Sequence, residues 1–77
     1  MIKYQIFDEK IVDCDGPEDL VKHMNATAKH PSVDAFHYML DYSLRSVMTR
    51  DVDIRATDFN SFVEDLIKAG DLKIIEV

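Results

Sequence analysis

Residues 2–19 read IKYQIFDEKIVDCDGPED, and this stretch decides the fold. Ile2, Tyr4 and Ile6 alternate with Lys3 and Gln5, the two-residue period of a strand with one apolar and one polar face. Asp8, Glu9 and Lys10 are polar enough to turn the chain, without the Asn-Gly chemistry of the tightest hairpins. Ile11-Val12-Asp13-Cys14 returns as a second strand. Asp15-Gly16-Pro17 then stops the strand and opens a helix, because proline at the first helical position gives up only an N–H that would be unpaired there. Glu18 and Asp19 follow in the first turn, where the helix dipole favours carboxylates.

Working outward, Leu20, Val21, Met24 and Ala28 share one face of that helix, which should end before His30-Pro31. Ser32 is expected to cap a second helix over about residues 33–50. Val33, Phe36, Leu40, Leu44 and Val47 keep the helical rhythm and are read as its inward face. Asp51 to Arg55 alternates Val52 and Ile54 with charge, as a short edge strand or an extended connector would. Thr57 or Asp58 caps a third helix, with Phe59, Phe62, Val63, Leu66 and Ala69 inward and Glu64, Asp65 and Lys68 outward. Gly70 stands where a left-handed C-cap favours glycine. Leu72 to Val77 is a last strand. Its adjacent Ile74 and Ile75 suggest burial on both faces, in mid-sheet and parallel to the first strand. The expected architecture is α+β: a small three- to four-stranded, mostly antiparallel sheet of N-terminal hairpin plus C-terminal strand, packed with three helices in one domain over residues 1–77.

Charge is unevenly placed. The chain carries nine Lys and Arg against fifteen Asp and Glu, a net −6. Between Asp8 and Asp19 lie Asp8, Glu9, Asp13, Asp15, Glu18 and Asp19 with Lys10 as the single base, so this window holds five of the six net charges. The bases are dispersed, which argues against direct contact with nucleic acid or an anionic membrane surface, since both need clustered cations. A single cysteine forms no internal disulfide, and no secretory leader or bilayer-length apolar run is recognisable; a cytoplasmic setting is expected.

Catalytic signatures are missing. Cys14 lies between Asp13 and Asp15, whose charges oppose thiolate formation, so a buried structural cysteine is expected. Asp13-x-Asp15-Gly16 has glycine fourth, where a calcium loop needs it sixth. His30, Asp34, His37 and Asp41 carry metal-compatible groups without the spacing of a zinc motif, and His37, Asp41 and Arg45 read more simply as an i, i+4 surface ladder. Two glycines cannot build a phosphate-cradling loop. No enzyme activity, cofactor or metal is expected.

Two binding surfaces are expected instead. The first is the acidic set Asp8, Glu9, Asp13, Asp15, Glu18 and Asp19, gathered into one corner by the hairpin loop and the helix start. The second is an outward aromatic face of Tyr38 and Tyr42 with Arg45 beside them, of the composition found at interface hot spots. In size, acidity and lack of a catalytic motif the chain resembles the small accessory proteins of phages and mobile elements. That resemblance implies an inhibitor or regulator, in part a DNA mimic, that docks on the basic, nucleic-acid-binding surface of a protein partner. The alternative is an assembly or adaptor module that self-associates, as a homodimer, or docks through Tyr38 and Tyr42.

Overall fold

The computed structural model describes residues 1–7 and 9–76. Strands β1 (Ile2–Ile6) and β2 (Lys10–Cys14) form the hairpin. Helices α1 (Pro17–Ala26), α2 (Ala35–Arg50) and α3 (Phe59–Ala69) follow, and β3 (Leu72–Glu76) closes the sheet. Strand order is β2-β1-β3 with both pairings antiparallel. The helices cover the face that carries Tyr4, Val12, Cys14 and Leu72, all buried. Ile11 and Asp13 on the opposite face are exposed.

The last strand is therefore not parallel to the first, nor in mid-sheet; β1 is central. The cause is local. Gly70 caps α3 in the left-handed region (φ 86°), a conformation that costs glycine little, and reverses the chain within one residue. The Phe7 N–H then donates to the Asp71 carbonyl at 2.8 Å, so the end of β1 meets the start of β3 and the strands must run in opposite directions. As an edge strand, β3 leaves Ile74 and Ile75 half exposed rather than buried on both faces. The segment from Val52 to Ala56 is the extended connector, not a strand. Ile54 is fully buried, its carbonyl accepts from the Ser43 hydroxyl, and Arg55 donates twice to Asp65 through its side chain (2.9 and 3.1 Å) and once through its backbone (2.8 Å). Asp65, expected outward, is buried for that reason.

Both later helices are capped by aspartate. Asp34 accepts from the His37 N–H at 2.8 Å, and Asp58 from the Ser61 N–H at 2.7 Å. Ser32 does not cap α2. Asn25 clasps it instead, accepting the Ser32 N–H (2.7 Å) and donating to its carbonyl (3.2 Å), which ties the α1–α2 connection to α1.

The largest departure from expectation is the rotation of α2. Its buried face is Ala35, Tyr38, Met39, Tyr42 and Ser46, with both tyrosines only 8 % exposed. Phe36, Leu40, Leu44 and Val47, the expected core stripe, are 43–59 % exposed, and Val33 is 84 % exposed. The two faces were separated correctly along the helix, but inside and outside are exchanged. Polar chemistry supplies the reason. The Tyr42 hydroxyl donates to Asp71 at 2.7 Å, and Arg50 binds both Asp71 oxygens at 2.7 Å while also donating to Ser46 (2.9 Å). Turning the leucine stripe inward would strand the buried Asp71 carboxylate, which costs several kcal/mol. Aromatic bodies also fill the core as well as leucines do: the Tyr42 ring meets Phe62 edge-on at 5.6 Å.

Two methionines on α2 test this orientation at equal helix propensity. Met39 is fully buried and Met48 largely exposed. Met39→Ala should cost about 2–5 kcal/mol in urea unfolding and Met48→Ala within about 0.5 kcal/mol. The leucine-inward orientation would require the Met39 cost to be small as well.

Acid stability tests the buried network. Hydrogen bonds from Arg50 hold the Asp71 carboxyl below the usual carboxylate range, and those from Arg55 do the same for Asp65. Folded-state values below the unfolded ones mean that this stabilisation is present above about pH 4 and is lost as pH falls through the folded-state values. Asp71→Asn should destabilise by about 2–3 kcal/mol at pH 7, and its deficit against the parent should shrink on acidification, as measured by denaturant unfolding at several pH values.

Candidate functional site

Chain direction divides the acidic window. Ile6 pairs with Lys10 at one end of the hairpin and Ile2 with Cys14 at the other. Glu9 lies at the turn and Asp15 past the far end of β2, roughly 20 Å away at 3.3 Å per residue. Asp13 stands on the open sheet face opposite Lys3. Asp8 lies outside the described residues. The single corner of six carboxylates is thus not formed, because a strand separates the loop from the helix start.

What does form is a groove at the start of α1. Asp15, Glu18 and Asp19 line it, and Asp58, Phe59 and Asn60 from the start of α3 complete it around Gly16 and Pro17, with a volume of about 520 Å³. Asp19 reaches back to accept the Asp15 N–H at 3.0 Å, which holds the strand-to-helix corner. Glu18 pairs with Lys22 at 3.0 Å, so the base in the groove is neutralised from within. Asp58 accepts from the Ser61 N–H and hydroxyl, and the backbone hydrogen bond holds its carboxyl below the usual range. Four carboxylates thus surround a depression that has Pro17 and Phe59 among its walls. A lysine or arginine side chain suits this shape: its methylenes lie on the apolar wall and its head sits among the carboxylates. Asp58 was missed because it lies 39 residues beyond Asp19 and only the packing of α1 against α3 unites them.

Cys14 is buried beside this corner, and burial first, then Asp19, Asp13 and Asp15, pushes its thiol up. His37 pairs with its own cap, Asp34, at 2.9 Å, while Asp41 accepts from the Ser32 hydroxyl at 3.1 Å. The surface ladder His37–Asp41–Arg45 therefore does not form as a chain of ion pairs. Arg45 donates to the Asp41 carbonyl rather than to its carboxylate, at 3.4 Å.

The expected aromatic face is corrected too. Tyr38 and Tyr42 are core residues, and of that trio Arg45 alone is exposed. The edges of the two rings line a second groove of about 580 Å³ with Lys29, His30, Arg45 and Arg50 on its walls. Burial is the main cause that raises the phenol of Tyr42, and that of Tyr38 as well. Two grooves of opposite charge thus flank the core. Among the described residues no helix is long and apolar enough to cross a membrane.

Comparison with protein-family models, with curated proteins and with solved structures returns no match. The class the geometry defines is a small α+β domain with a three-stranded antiparallel sheet under three helices.

Removal of a single hydroxyl separates core from surface for Tyr42. Tyr42→Phe should cost about 1.5–3 kcal/mol in thermal or urea unfolding, the range for a hydrogen bond to a charged acceptor. An outward-facing tyrosine would tolerate the change within about 0.5 kcal/mol.

Proposed function

We propose that this protein works by binding rather than by catalysis: it is a regulator or inhibitor that docks on a basic surface of a protein partner, in competition with the nucleic acid that such a surface holds. The observation that carries this reading is the convergence of Asp15, Glu18, Asp19 and Asp58 around one groove from two distant parts of the chain. Local turn and cap chemistry accounts for each acid singly. Their meeting is a tertiary fact, and like charges brought together cost stability that a small domain has little of. A cationic side chain from the partner relieves that repulsion. The net −6 speeds encounter and suppresses binding to acidic proteins. The partial DNA mimicry in this proposal is confined to the groove and its fixed carboxylates.

The experiment is a titration with an arginine-rich peptide, followed by backbone amide shifts. Shifts should centre on Gly16, Glu18, Asp19, Phe59 and Asn60. Affinity should fall at least about tenfold between 0.01 M and 0.15 M salt, as the screening length drops from about 30 to 8 Å. The combined change Glu18→Gln, Asp19→Asn and Asp58→Asn keeps a side-chain oxygen for the α3 cap and for the Asp15 N–H and removes the charge; it should abolish binding. Glu9→Gln, at the other end of β2, should leave it unaltered. Equal binding by all variants, or no salt dependence, would sink the proposal.

A further inference from the structure

We infer that the outward face of α2 is the interface of a homodimer, in which two copies pack this helix antiparallel about a two-fold axis at Leu40. The inference is independent of the acidic groove. It starts from a helix with two apolar faces. One covers the core through Tyr38, Met39 and Tyr42. The other carries Phe36, Leu40, Leu44 and Val47, with Val33 just before the cap, and among the described residues no element covers it. A helix that is apolar on two sides is ordinarily an inner element with neighbours on both.

Spacing chooses the occupant. Within α2, Phe36 and Leu44 lie four residues to either side of Leu40, so this row reads the same from either end. That is the condition for an isologous contact, in which one patch meets its own copy. With Leu40 on the axis, Phe36 of each copy faces Leu44 of the other, with Val47 and Met48 toward the ends of the contact. Phe36, Leu40 and Leu44 also form an i±4 ridge, and interlocking of two such ridges is the commonest way helices pack in globular proteins. None of the five positions is charged.

Area agrees. With large apolar side chains presenting on the order of 150–200 Å² when free, the observed exposures leave roughly 500 Å² of apolar surface per chain. A pair would bury about 1,000 Å² before its rim is counted, the threshold for a specific interface. On a chain whose total accessible surface is 4945 Å² this patch takes up about a tenth, in the range of the largest apolar patch a monomer carries, which is often functional. Dimerisation would also give each particle two acidic grooves.

Sedimentation or light scattering over a concentration series tests the inference. The full chain should pass from monomer to dimer, with no loss of association at high salt, unlike binding at the acidic groove. Leu40→Glu sets two carboxylates face to face on the axis and should raise the dissociation constant about a hundredfold or more. Leu44→Glu should act likewise, and circular dichroism should show both variants folded, since these positions are exposed in the monomer. Thr49→Glu, exposed on the side of α2 opposite Leu40, should leave the dimer intact. Leu40→Cys should give a covalent dimer on air oxidation, because the axis brings the two thiols together while native Cys14 is buried. A chain that stays monomeric at the highest concentration reached, or a dimer that survives both glutamate variants, overturns the inference.

Discussion

The Asp71 carboxylate is buried directly after the glycine that ends α3, and the side chains that hydrogen-bond it, Tyr42 and Arg50, lie far away in the chain. Arg50 grips both oxygens from the last turn of α2, and the Tyr42 hydroxyl reaches one of them from two turns earlier. The Asp71 carbonyl meanwhile anchors the end of β1 through the Phe7 N–H. One residue therefore sets the rotation of the longest helix and joins the first strand to the last. A buried carboxylate without partners is too costly for a domain whose total stability is about 5–15 kcal/mol. The fold thus has little freedom to place α2 in any other way.

That constraint has consequences at the surface. Turning Tyr38, Met39 and Tyr42 inward leaves the row of Phe36, Leu40, Leu44 and Val47 outward, an apolar face on the longest helix of a chain with 31 % charged residues. The same turn carries Arg45 and Arg50 to the mouth of the cationic groove beside Lys29 and His30. On the other side, the packing of α1 against α3 brings two helix starts together, and each brings the acids that helix starts favour. The proposed partner contact and the proposed dimer contact thus arise from different features of the same core.

Much of the fold was legible in the residues. The alternation of Ile2, Tyr4 and Ile6, the Gly16-Pro17 helix start, the Phe59-Phe62-Val63-Leu66 stripe and the cap at Gly70 each act over a few residues, where propensity and periodicity decide the outcome. Strand direction was not legible, because it follows from how tightly Gly70 turns the chain and which carbonyl Phe7 then meets. Of the candidate site, Asp15, Glu18 and Asp19 were legible as neighbours. Glu9 and Asp13 were grouped with them although a strand end and a strand face hold them apart, and Asp58 was left out.

The sequence by itself determined that this chain makes a hairpin, three helices and a closing strand, that α2 has two different apolar faces, and that negative charge concentrates early in the chain. These are local properties, set by backbone preference and residue spacing. Only the tertiary structure decided which face of α2 is the inside and which acids share a groove. Periodicity measures the separation of faces along a helix and is silent about direction. Direction was settled by Asp71, 29 residues beyond Tyr42, because a buried charge must find its partners wherever in the chain they lie.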